Sequence, residues 1–171
     1  MLNAFLAVML TLQGVPTDTV DVEQVMTALL TDSTQAGRSV IRVASARGRS
    51  VHIDLESSTR AFIQGLPAQW TVTPMNTVGA IEYRLADVET LSCPDATSLG
   101  PNCRVRGNDA WIGIDEVRRV DDDQISVRVH VLWTERSDDG SSRLAGFTTL
   151  RLMQRSNTGW RTSKVLATAS G

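Results

Sequence analysis

The last third of the chain alternates apolar and polar residues in four segments, which are separated by three short polar turns. Such alternation is typical of strands with one buried face, and turns of roughly two to five residues join only antiparallel neighbours. The pattern therefore predicts a four-stranded antiparallel meander. Its strands are expected over residues 111–120, 125–133, 144–153 and 160–166.

The second of these segments shows the alternation most clearly. One face carries Ile125, Val127, Val129, Val131 and Trp133, and the opposite face carries Ser126, Arg128 and His130. We expect the first face to be core and the second to be in solvent. An apolar sheet face has to be covered by another element.

A helix that could cover this face is predicted to begin near Asp21, because Asp21 and Gln24 have the spacing of a capping box. The apolar residues that follow form one helical stripe, and Gly37 is a suitable residue to end the helix. The stripe consists of Val22, Val25, Met26, Leu29 and Leu30. Helix and meander together predict an α+β domain.

The middle of the chain predicts shorter elements. Residues 39–43 and 51–56 predict the two strands of a hairpin that turns at Arg47 and Gly48. Ser57 and Ser58 are expected to cap a short helix over residues 60–64, which ends at Gly65. Two further strands are expected over residues 70–73 and 80–85.

Cys93 and Cys103 enclose a segment that contains two prolines and a glycine. This composition predicts a surface loop closed by a disulfide, and the alternative is two free thiols in a cytosolic protein. A disulfide favours an oxidising compartment.

The first 17 residues carry no charged side chain and contain an apolar run over residues 4–10. This run has the length of a signal-peptide core, although the usual basic start is missing. The alternative is an amphipathic helix with Leu2, Phe5, Leu6 and Met9 on one face. The signal-peptide interpretation predicts one mature domain over residues 18–171 that is secreted or periplasmic, with no membrane span.

Composition narrows the function classes. The chain has 171 residues, 42% of them hydrophobic and 21% charged, and a net charge of -2, which is typical of a globular protein. Its Arg residues are scattered among acids, so nucleic acid is not an expected partner. The sequence lacks nucleophile-elbow, phosphate-loop and dinucleotide motifs, so we expect no cofactor and no conventional hydrolase or kinase activity.

An N-terminal helix, a short second helix and a long meander that ends in Gly159, Trp160 and Arg161 resemble the NTF2-like superfamily. The resemblance covers the chain from about Trp111 onward and the helix at Asp21. It implies a curved antiparallel sheet covered by one or two N-terminal helices, which enclose a conical pocket. The hairpin expected before residue 56 does not belong to that pattern, and the alternative fold is a small lipocalin-like β-barrel.

His52, Asp54 and Glu56 are the first candidates for chemistry, because they alternate on a predicted strand and are residue types that bind metals or share protons. The alternative is that the apolar residues between them point inward and these three form a solvated face. We favour this alternative and expect no metal site.

His130 and Arg128 are expected on the solvent face of the meander, at a surface that could contact a second subunit. The NTF2-like resemblance implies a partner surface there, with Arg128 and Arg151 as candidates and a homodimer as one outcome. Tyr83 is expected to point toward the core. Candidate residues for the wall of a pocket are Tyr83, Trp111 and Trp133.

These observations favour a non-catalytic secreted or periplasmic domain that binds a small apolar ligand or a protein partner. The alternative is a cofactor-free isomerase or dehydratase with a carboxylate in an NTF2-like pocket. A third hypothesis is an oligomerising module with an apolar outer sheet face. A cavity between helix and meander would favour the first two.

Overall fold

The computed structural model describes residues 19–31, 40–73, 84–87, 89–94, 99 and 102–171. In chain order they form β1 (Thr19–Asp21), α1 (Val22–Thr31), α2 (Val40–Ala44), β2 (Val51–Ile53), α3 (Leu55–Gly65), β3 (Thr71–Thr73), β4 (Arg84–Leu85), β5 (Leu91–Ser92), β6 (Arg104–Val105), β7 (Ala110–Arg119), β8 (Gln124–Arg136), β9 (Ser142–Ser156) and β10 (Gly159–Ser170). A short 3-10 turn (Ala46–Gly48) follows α2. The leader, Gly37 and Tyr83 lie outside these residues.

The predicted meander is confirmed. Strands β7 to β10 pair in sequence order, each antiparallel to the next, and two short strands extend the sheet to the order β10-β9-β8-β7-β2-β4. Within the described part of the chain, β10 and β4 lie at opposite ends and do not pair, so the sheet is open. The lipocalin-like barrel alternative is therefore wrong.

The inner face of the sheet carries the main core and is covered by helices. Helix α1 packs against β10, α2 against β7 and β8, and α3 against β7. All five apolar residues of the predicted stripe on α1 are buried, and Asp21 Oδ1 accepts hydrogen bonds from the Glu23 and Gln24 amides at 3.0 and 3.3 Å. The fold is thus an α+β domain as predicted, with three helices on the sheet instead of one or two.

The predicted hairpin before residue 56 is wrong. Residues 40–44 form helix α2, because Val40 and Ala44, one turn apart, are both buried against the core. Strand β2 ends at Ile53 and pairs in parallel with β7 and β4. A short apolar run fits either a helix or a strand, and long-range pairing decided between them here.

Helix α3 begins earlier than predicted. Asp54 is its N-cap and accepts a hydrogen bond from the Ser57 amide at 2.9 Å, so Ser57 and Ser58 lie inside the helix. At its other end Gly65 is in close contact with β7, since a Cβ atom there would lie 1.8 Å from the Val117 carbonyl oxygen. The predicted end at Gly65 is confirmed, and the close contact explains why this position is a glycine.

The outer sheet face is partly covered as well. Trp111, Val105 and Leu132 form a second small cluster, and the Trp111 ring lies where a Cβ atom of Gly113 would be. The cover comes from β5 and β6, which are joined by the predicted disulfide between Cys93 and Cys103. Thr134 Oγ1 anchors β6 to β8 through both the amide and the carbonyl of Val105, at 2.9 and 2.8 Å.

Two remaining predictions concern short strands and membrane spans. The strand expected over residues 70–73 is present as β3, and that over 80–85 is described only at β4. Among the described residues, no helix is both long and apolar enough to cross a membrane.

Candidate functional site

A cleft of about 410 Å³ separates α2 from the inner face of β8, β9 and β10. We call it the inner cleft. Its wall includes Val40 and Val43 from α2, Trp133 from β8, and Phe147, Thr149 and Arg151 from β9. A space of this size falls within the range of small-molecule sites, and its described lining is predominantly apolar.

The inner cleft exists because strand β9 alternates along its length. Phe147, Thr149, Arg151 and Met153 point toward the helices, whereas Leu150 and Leu152 point outward. The helix α1 covers the Met153 end, and α2 faces the Phe147 end. The space between these helices leaves the middle of the strand as the floor of the cleft.

Two polar side chains lie in the apolar wall. Thr149 is 2% exposed, and its hydroxyl has no hydrogen-bond partner within the described residues. Arg151 is 4% exposed, and its Nη1 donates to the carbonyl oxygen of Leu29 in the last turn of α1, at 3.3 Å. A cation at this position is favourable, because the carbonyl end of a helix is partially negative.

The opposite end of the inner cleft carries an acid. Trp133 Nε1 donates to Glu135 Oε1 at 3.0 Å, and Arg143 Nη2 lies 3.3 Å from the other carboxylate oxygen. The Trp133 hydrogen bond, together with Arg143, holds the pKa of the Glu135 carboxyl below its ordinary value. The guanidinium carbon of Arg49 lies over the Trp133 ring, 4.5 Å from its centroid, in a cation–π contact that stabilises the position of the indole. The cleft therefore has a cationic end at Arg151 and an anionic end at Glu135.

The outer face carries a row of polar groups that contact one another across three strands. Thr148 Oγ1 lies 2.9 Å from His130 Nδ1, and His130 Nε2 lies 2.9 Å from Asp115 Oδ2 in an electrostatic contact. Arg128 pairs with Glu116 and lies 3.8 Å from Asp115. We call Thr148, His130 and Asp115 the outer row.

Opposing effects determine the charge state of Asp115. Burial works to raise the pKa of its carboxyl, but the contact with His130 and the charge of Arg128 outweigh it and hold the pKa below the ordinary value. A hollow of about 440 Å³ beside the row is lined by His130, Leu132 and Leu144. Its polar groups already contact each other, so it offers a ligand less than the inner cleft does.

The structure separates the candidates His52, Asp54 and Glu56. His52 is buried on the outer side of β2, with its Nε2 atom 3.1 Å from Asp109 Oδ2. Asp54 caps α3, and Glu56 pairs with Arg60 on the exposed helix surface. They therefore do not share a strand face, and no group of three or more metal-ligating side chains occurs among the described residues.

The pocket and partner candidates also fall on different faces. Trp133 lines the inner cleft, whereas Trp111 belongs to the outer cluster and lines another hollow beside α3. Tyr83 lies outside the described residues. Arg128 lies on the outer face as predicted, but Arg151, expected there with it, points inward.

Sequence reasoning missed Thr149 and the inward position of Arg151. Arg151 is paired in register with Val127, which the alternation in β8 had already assigned to the core face. Aligning β9 on β8 through their polar turn would have placed Thr149, Arg151 and Met153 on that same face. Without this alignment of the two strands, a threonine or an arginine in the sequence gives no indication that it faces the core.

Comparison with known proteins yields one partial similarity. No family model matches the chain, and no curated protein matches it either. Among solved structures, the chain is similar to a ketosteroid isomerase-like protein from Erwinia carotovora atroseptica SCRI1043, with 30% identity and a TM-score of 0.29. The similarity covers 37% of this chain and 50% of that one, so it spans about half the length of that protein. At this TM-score the match does not determine fold or function.

Proposed function

We propose that this domain binds a small, largely apolar molecule in the inner cleft without transforming it. The observation that supports this proposal is the inner cleft itself, an apolar space of about 410 Å³ whose wall contains only a few polar groups. Small-molecule sites commonly have this composition, since apolar walls supply affinity and a few polar groups fix orientation. Elsewhere, side chains from the helices and the inner face of the sheet form one buried hydrophobic cluster.

The enzyme alternative has less support. Among the described residues that line the inner cleft, Glu135 is the one with a carboxylate side chain, and the pKa of that carboxyl is lowered. A general base for isomerase or dehydratase chemistry is more effective when its pKa is raised toward neutrality. Glu135 is moreover held by Trp133 and Arg143, which stabilise the charged form.

We also infer that the domain is NTF2-like and functions in an oxidising compartment. The order of helices before the meander, and the cleft between them, support the first inference. The disulfide between Cys93 and Cys103 is compatible with an extracellular or periplasmic location and supports the second. The intact mass of the protein from its native compartment tests this: residues 1–17 retained together with two free thiols would contradict it.

Calorimetric titration with decanol tests the ligand proposal. We expect saturable binding to the unaltered chain and loss of binding in Thr168→Phe, because Thr168 lines the inner cleft beside Thr149 and a phenyl ring there would occupy the cleft. Ala167→Phe is the matched control, since Ala167 is the exposed neighbour on the other side of β10 and should leave binding unchanged. No saturable binding, or equal loss in both variants, would contradict the proposal.

A further inference from the structure

The hydroxyl of Thr149 indicates which kind of group a ligand presents to the wall of the inner cleft. This hydroxyl is buried without a hydrogen-bond partner among the described residues, although buried polar groups in proteins are nearly always paired. Rotation about χ1 exchanges the positions of the hydroxyl and the methyl group, so the hydroxyl can turn toward a bound molecule. A ligand with a hydrogen-bonding group at this depth would supply the missing partner.

Arg151 determines the charge that such a group should carry. It lies two residues from Thr149 on the same face of β9 and lines the same cleft. A guanidinium has five N–H donors in a planar fork, so it can donate to the Leu29 carbonyl and to a carboxylate at the same time. A carboxylate between Arg151 and Thr149 would therefore receive charge-assisted hydrogen bonds from the cation and a hydrogen bond from the hydroxyl.

The two ends of the inner cleft orient the ligand. Glu135 is ionised at the Trp133 end, where it would repel an anion, and the cationic Arg151 is at the other end. Apolar side chains line the cleft between these ends, among them Phe147 and Val43, and Val165 lies beside Arg151 on β10. Along β9, the four residue steps from Phe147 to Arg151 correspond to roughly 13 Å of strand. This is enough length for an apolar body with a charged head at one end.

We infer that the ligand of the inner cleft is a small apolar carboxylic acid, bound with its carboxylate at Arg151 and Thr149 and its apolar body toward Trp133. The inference rests on the proposed ligand-binding function and adds the chemical class and orientation of the ligand. Arg151 and Thr149 are binding residues in this arrangement.

The experiment compares decanoate with decanol, two probes that share a chain length and differ in the head group. Calorimetry on the unaltered chain should show decanoate binding about tenfold more tightly, since charge-assisted hydrogen bonds replace neutral ones. Arg151→Met should remove this preference while decanol binding persists. Thr149→Val should weaken decanoate binding about threefold, the effect of losing one neutral hydrogen bond.

Matched variants control for general effects. Arg161→Met removes an exposed cation from β10, and Thr148→Val alters the neighbouring threonine that faces outward; both should retain the preference for decanoate. Equal affinity for decanoate and decanol in the unaltered chain would overturn the carboxylate inference and leave the proposed function standing. Binding of neither probe would overturn both. The comparison in the unaltered chain decides the question even if Arg151→Met does not fold.

Discussion

Thr148 and Thr149 are neighbours in β9 but face opposite sides of the sheet, and their surroundings differ. On the outer side, Thr148 contacts His130 and His130 makes an electrostatic contact with Asp115, so these three side chains form one row. On the inner side, Thr149 is buried in an apolar wall and has no hydrogen-bond partner among the described residues. The side chains of the outer row therefore contact one another, whereas the Thr149 hydroxyl has no such contact within the described residues.

This difference shows why a cluster of chemically suitable side chains is a weak indication of function. The outer row contains a hydroxyl, an imidazole and a carboxylate in sequence, yet its contacts are those of a structural network on a strand surface. The inner cleft contains less varied chemistry. The inner cleft is nevertheless the better candidate for a functional site, because an unsatisfied buried hydroxyl costs stability unless something binds it.

The largest expected effect on stability comes from removing a side chain on the inner face of the sheet, compared with one on the outer face. Met153→Ala should lower the free energy of unfolding by about 2–5 kcal/mol, because Met153 is fully buried under the helices. Leu152→Ala, on the outer side of the same strand, should cost about 1 kcal/mol or less, since Leu152 is only partly buried. Urea denaturation measures both. Equal losses would contradict the assignment of the main core to the inner face.

The next largest effect on stability concerns the disulfide that joins the segments covering the outer cluster. Replacing both Cys93 and Cys103 by Ala should lower the free energy of unfolding by about 2–3 kcal/mol, because the disulfide restricts the unfolded chain. Urea denaturation with and without reductant measures it. The unaltered chain should lose stability in reductant and the double variant should not respond. A stability that is independent of reductant in both proteins would contradict the prediction.

A smaller effect of opposite sign distinguishes the two threonines without any ligand. Thr149→Val should raise the free energy of unfolding by about 1 kcal/mol, because it removes a buried hydroxyl that has no partner in the described structure. Thr148→Val should lower it by about 1 kcal/mol, because it breaks the contact with His130. Denaturation of the two variants side by side tests this. A loss in Thr149→Val would show that its hydroxyl is already bonded.

The smallest effect is the pH dependence of the outer row. The pKa of Asp115 is lowered in the folded state, so its contribution is present above the unfolded pKa of about 3.9 and is lost as pH falls through the lower folded value. The contribution should be less than about 1 kcal/mol, because the Asp115 side chain is 45% exposed. Asp115→Asn should therefore remove part of the stability near neutral pH and flatten its fall below about pH 4. Thermal denaturation across that range measures it, and an unchanged profile would contradict the assignment.

The parts of the fold that local chemistry specifies were predictable. The meander follows from alternation and polar turns, and α1 follows from the stripe after Asp21; both are confirmed. The region from Val40 to Glu56 was not predictable in the same way, because its apolar runs are too short to separate helix from strand. Its assignment depended on the parallel pairing of β2 with β7, whose residues lie far away in the sequence.

The residues of the candidate site were likewise predictable only in part. Trp133 was named with Tyr83 and Trp111 as a candidate for a pocket wall, and it lines the inner cleft. Arg151 was expected on the outer surface, as part of the partner surface that the NTF2-like resemblance implies, and the structure places it inside beside Leu29. Thr149 was not predicted as a site residue, since threonine is common in strands.

The sequence by itself determined the alternation of apolar and polar residues in each long segment, the antiparallel order of the last four strands, the capped helix at Asp21 and the one pair of cysteines available for a disulfide. These depend on contacts between residues close along the chain or, for the disulfide, on the only two cysteines present. The tertiary structure alone decided which way β2 runs, which helices cover the sheet besides α1, and that the Thr149 hydroxyl is buried without a hydrogen-bond partner among the described residues. Such features arise from packing between distant segments, where a shift of one residue in register would turn Thr149 and Arg151 to the opposite face.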